Sequence, residues 1–124
     1  MLNNEAQAAS AANLINAVSA ANTAAATSSW VDVRRFEGDV EVIINTGAIT
    51  GSCTPSIEEA TDNSGSGGAA LVPNEGAFTA LTANSVRKYT FRASSTKGFI
   101  RFVGTIVTGP ALIAVSYQGR PKNF

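Results

Sequence analysis

Few residues in this chain have side chains able to do chemistry, and they stand apart from one another. The 124 residues include no histidine and one cysteine, Cys53, which removes the usual Ser-His-Asp and Cys-His arrangements and the commonest metal ligand. A thiol reacts as its thiolate, and the neighbours Ser52 and Thr54 supply neither base nor positive charge. Cys53 is therefore expected to pack as a small hydrophobe. Glu58 and Glu59 adjoin, but consecutive side chains on a strand point to opposite faces, which keeps them from sharing an acid–base site. The stretch "TDNSGSGGAALVP" opens like a calcium loop at Asp62, yet the twelfth position of that frame is Pro73, where a bidentate Glu is required. No enzymatic activity, cofactor or metal is expected.

The segment "RKYTFRASSTKGFIRF" interleaves cations with aromatics, as sheets that bind single strands do. Its "KGFIRF" portion places Ile100 and Arg101 where the ribonucleoprotein motif needs a small residue and another aromatic. Tyr89 and Phe91 alternate with Lys88, Thr90 and Arg92, the pattern of a half-buried strand. Direct nucleic-acid contact is not expected. Nine acidic and nine basic residues balance, but all nine acids lie in residues 1–75 with only Arg34 and Arg35, and residues 76–124 hold seven basic residues and no acid. Either acidic and basic strands pair within one sheet, or opposite surfaces meet between subunits.

These residues need a scaffold, and the alternation supplies one. "WVDVRRF", "DVEVII", the run from Cys53 to Ala60, "RKYTFRA", "GFIRFVGTIV" and "ALIAVSYQ" read as short strands, with turns expected at Glu37–Gly38 and through "NTGAITGS". Residues 61–76 form the clearest loop. The expected fold is all-β, an antiparallel β-sandwich or jelly-roll-like domain over residues 29–124.

Residues 1–28 differ. From Glu5 to Ala26 alanine dominates and no Gly or Pro occurs, which predicts a helical arm. Ala11, Leu14, Val18, Ala21 and Ala25 lie on one narrow face beside Ile15. Lys and Arg are absent before Arg34, so a secretory leader is not expected, and no apolar run is long enough for a membrane-spanning helix. Leu14, Ile15, Val18, Ala21 and Trp30 are the candidate assembly-interface residues.

The run "WVDVRRFEGDVEVIINTGAITGSCTPSIEEATDNS", then "KGFIRFVGTIVTG" and "AVSYQGRPK", resembles a family of small phage-encoded structural proteins lying among head genes. The resemblance covers about residues 30 to 122 and implies a capsid decoration or cement protein. Its partner would be the major capsid protein, its form a homotrimer, and its place the capsid surface of a virion assembled in the host cytoplasm, without membrane or direct nucleic-acid contact. Gly38, Gly47, Gly51 and Gly98 would permit tight turns, and Phe36 and Phe102 would anchor the core. A neck or tail-associated adaptor is the alternative within virions. A carbohydrate-binding or adhesion module is the alternative from another class, with Trp30 or Tyr117 as its exposed platform. Ordering some twenty arm residues costs on the order of 20 to 40 kcal/mol, while burying Leu14, Ile15 and Val18 returns about 5 to 9 kcal/mol. The arm is accordingly expected to become helical only on assembly, against sister arms or the shell, and the sandwich to stand without it.

Overall fold

Alternating apolar and polar side chains fold this chain into two facing sheets. The computed structural model describes residues 10–20 and 25–122. In chain order these form β1 (Ser10–Ala20), β2 (Ala25–Thr27), β3 (Val31–Asp32), β4 (Phe36–Ile49), β5 (Ser52–Ala60), β6 (Ala69–Leu71), β7 (Ser85–Arg92), one 3-10 turn (Ala93–Ser95), β8 (Phe99–Val107) and β9 (Ala111–Pro121). One sheet runs β1-β9-β4-β7 and the other β2-β8-β5-β6, with β3 extending the line of β2 along β8. Every pairing is antiparallel, and successive strands lie in different sheets at β1 and β2, β3 and β4, β4 and β5, β6 and β7, β7 and β8, and β8 and β9. That wiring is a jelly roll, so the expected all-β sandwich forms.

The inward positions make one core. Val40, Val42 and Ile44 of β4, Tyr89 and Phe91 of β7, and Val115 and Tyr117 of β9 face Cys53, Ile57, Ile100, Phe102 and Ile106 of the other sheet, all buried. Phe36 and Phe102 are the bulkiest fully buried side chains, as the family resemblance implied, and Phe36 meets Tyr117 edge-on at 6.1 Å. Two expected turns move. The chain turns at Arg34–Arg35, and Glu37–Gly38 lies inside β4, where the register against β9 shifts in a bulge. Gly47 is also within β4, and the following turn falls at Thr50–Gly51. There Gly51 is required by close approach, because a Cβ would lie 2.0 Å from the carbonyl oxygen of Val107.

The alanine-rich arm is the main correction. Ser10–Ala20 is a strand, antiparallel to β9 with Ile15 opposite Val115 and Val18 opposite Ile113. Ala25–Thr27 pairs with β8 in the other sheet, so over the described residues the expected arm belongs to the sandwich. Residues 1–9 and 21–24, and Ala21 with them, lie outside the described residues. The physical reason is the edge of β9. An isolated helix of this length is marginal because its nucleus is costly, whereas pairing with a strand already held by the core satisfies backbone groups on both partners.

β8 and β5 are likewise lined by short segments. Between β2 and β3 the Ser28 N–H donates to the carbonyl oxygen of Phe102 (2.9 Å), and the Ser28 Oγ accepts the Phe102 N–H (2.9 Å), so one side chain spans the break. On β5, Cys53 and Leu81 exchange backbone bonds of 2.9 and 2.8 Å and β6 covers Ile57 to Glu59. Pro55, which has no N–H, stands in between.

Removing residues 1–20 uncovers β9. The truncated chain is expected to melt at lower temperature and to form larger species by light scattering; unchanged melting and a single species would contradict the pairing. Ser28→Ala leaves the buried Phe102 N–H without its acceptor and is expected to cost about 1–3 kcal/mol in urea unfolding.

Candidate functional site

Each chemistry-bearing residue is already committed to a neighbour or to the core. Cys53 is fully buried, and burial pushes its thiol pKa up, which works against thiolate formation. Glu58 accepts a 2.7 Å bond from Arg101 Nε, while Glu59 accepts the Lys97 N–H at 2.9 Å. The two carboxylates serve different partners. Among the described residues no group of three His, Cys, Asp or Glu side chains could hold a metal.

Loop 61–68 is organised by its own carboxylate. Asp62 Oδ1 accepts the N–H groups of Ser64 (2.9 Å) and Ser66 (3.1 Å), and Thr61 and Ser66 close the base with a 2.9 Å backbone bond. Hydrogen bonds from Ser66, then from the Ser64 N–H, hold the Asp62 pKa below its ordinary 3.8. Lys97 Nζ reaches across to the carbonyl oxygen of Gly67 at 2.6 Å. The calcium-like spelling of this segment thus encodes a self-capped turn.

The charge asymmetry resolves largely within one molecule. Acidic β4 and β5 lie beside basic β7, β8 and β9, with Glu41–Lys88 at 3.5 Å, Glu58–Arg101 at 2.7 Å and Glu37–Arg120 at 3.2 Å. Arg34 pairs instead within its own turn, at 2.8 Å from Asp32. Arg34, Lys97 and Lys122 surround an open cleft of about 500 Å³ with Glu37 on its wall.

The proposed interface residues do not gather at one place. Leu14, Ile15 and Val18 are on β1, the edge of one sheet. Trp30 lies between β2 and β3, at the edge of the other. The Arg101 guanidinium sits 4.6 Å from the Trp30 ring centroid, and Gly65 packs on the indole so closely that a Cβ there would be 3.1 Å from Nε1. Tyr117 is buried in the core and offers no platform, while Trp30 is half-buried and lines an open cleft with Glu58, Ser64 and Arg101.

Sequence reasoning missed a surface defined by what it lacks. Residues 42–57, 76–86 and 102–119 contain no Asp, Glu, Lys or Arg, and the pairing brings these runs to one end of the sandwich. That end carries the turns at 50–51 and 108–110. Arg34, Asp62, Lys97 and Lys122 all lie toward the opposite end. Three of the exposed large apolar residues, Val86 (67%), Val107 (59%) and Leu112 (40%), are in the neutral half. The charge-free runs were legible in the sequence; their convergence required the topology.

No family model matches the chain, and no curated protein matches it in sequence. Among solved structures, the SPBc2 prophage-derived protein YomS is similar with a TM-score of 0.57 at 16% identity, over 90% of this chain and 93% of that one. PirA is similar with a TM-score of 0.53 at 9% identity, again over 90% and 93%. At these identities the likeness is one of fold.

Acidification tests the Asp62 turn. A lowered carboxylate pKa contributes stability that is present above the unfolded value and lost as pH falls through the folded one. Amide protection at Ser64 and Ser66, taken relative to the intrinsic exchange rate at each pH, is therefore expected to fall below the ordinary carboxylate range, and Asp62→Asn to reproduce this at neutral pH. Equal protection at both pH values would contradict it.

Proposed function

We propose that this chain is a structural protein of a phage virion, a decoration or cement protein that binds the major capsid protein on the head surface and acts as a homotrimer. The observation that carries the reading is the fold likeness to a prophage-derived protein, which spans 90% of this chain and 93% of that one. The ordered motifs "FEG", "GAITG", "KGFIRF" and the closing "GRP" support the same family. The paired charges fit a part that works by shape and contact: a rigid β-sandwich adds buried area and strand edges to a shell without catalysis. The sugar-binding alternative has one of its two platform residues, Tyr117, buried in the core, and the other, Trp30, half-buried against Arg101.

Counting copies in purified virions, by mass spectrometry or electron microscopy, tests this directly. A decoration protein is expected in a large number set by the symmetry axes of the shell, whereas about a dozen copies at one vertex would mark the neck or tail adaptor. Shells carrying the protein should resist heat or low salt better than shells without it. Absence of the chain from particles would overturn the proposal.

A further inference from the structure

The outer face of the β1-β9-β4-β7 sheet is divided across its middle. Asn45 of β4 stands opposite both Val86 of β7 and Ala114 of β9, which makes an uncharged row across three strands. In the next row towards the neutral end, Leu112 lies over Gly47, where a Cβ would be 3.1 Å from the Leu112 Cβ. Glycine here leaves the exposed leucine room to lie flat on the sheet. Ile43 begins the other side of the patch, opposite Lys88 and Ser116. Beyond it Glu41 is held by Lys88 at 3.5 Å and by Gln118 at 2.7 Å. The patch therefore has an uncharged middle, in which the exposed Asn45 stands between Val86 and Ala114, and a paired polar border, as protein interfaces do.

We infer that this neutral half-face is a self-association surface, and that its occupant is a second copy of the same chain. Around any rotation axis the same residues of each copy converge, so a charge near the axis meets its like. An ion buried there without a partner costs several kcal/mol. The patch proper holds Asn45, Val86, Leu112 and Ala114 and no ionisable group, with Ile43 and Lys88 at its border, so copies can meet on it without stranding a charge. Towards the other end of the same face stand Asp39, Arg92 and Arg120. The inference rests on the multi-copy reading above, but its test needs no shell.

Sedimentation and light scattering of the full chain between about 1 and 100 µM should report a multiple of the 12.7 kDa protomer. Contact through a neutral surface should persist from about 50 to 500 mM NaCl, where exposed ion pairs are screened. Val86→Lys and Leu112→Lys should each weaken association at least about tenfold. Val72→Lys, at an equally exposed valine (74%) in the loop after β6, should leave it unchanged. Melting curves establish that each variant folds, and Ala114→Glu asks the same question if either lysine variant does not. A monomer at every concentration, or a multimer indifferent to Val86→Lys and Leu112→Lys, would overturn the inference. A monomer that still enters virions would overturn it while sparing the virion proposal. A multimer sensitive to both lysine variants supports it even if virions lack the chain.

Discussion

A sheet exposes a row of backbone donors and acceptors at each edge, and those groups must find partners or water. Much of this molecule is arranged around that requirement. β1 covers β9, and β2, Ser28 and β3 together line β8. On β5 the Leu81 bridge, Pro55 and β6 share the edge. On β7 the Asn74 N–H donates to the carbonyl oxygen of Thr90, and Glu75 accepts the Thr90 N–H. Each device is short and drawn from residues close to a turn. Together they hold two small sheets around a core in which Phe36 and Phe102 are the bulkiest fully buried side chains.

With these backbone groups partnered, the charges have a different task. Side-by-side placement of acidic and basic strands puts Glu37, Glu41 and Glu58 each next to a cation. Pairs this exposed contribute only about 0.2–1 kcal/mol apiece, too little to hold a fold. Their larger effect is on register, because shifting β7 or β8 by one residue would send every paired side chain to the wrong face. The same arrangement concentrates charge toward one end of the molecule and leaves the other neutral.

Strands with strict alternation were legible in the sequence. Val40, between Asp39 and Glu41, and Tyr89 and Phe91, between Lys88, Thr90 and Arg92, have polar neighbours on both sides, and their burial follows from period two alone. The alanine-rich segment was not legible, because alanine's helix preference is a local property and the strand at Ser10–Ala20 depends on β9, about one hundred residues later in the chain. Gly38 and Gly47 misled for a related reason. A glycine can mark a turn, a bulge or a close approach, and here one forms a bulge while the other makes room for Leu112. Of the candidate interface, the sequence suggested Trp30 but not that Arg101 and Gly65 would pack against it. The neutral face was invisible because its residues come from three separated strands.

The pairing of β1 with β9 also determines how the molecule would respond to a pull. Ser10 is opposite Gly119, so the start of β1 and the end of β9 lie on neighbouring strands at the same end of the sandwich. Antiparallel hydrogen bonds lie across the strands, and tension applied through the two strand ends would open them one rung at a time, as a zipper opens, instead of shearing all of them together. A load carried through those two strand ends would thus find the first strand compliant. A load spread over the outer faces of the sheets would meet the whole packed core.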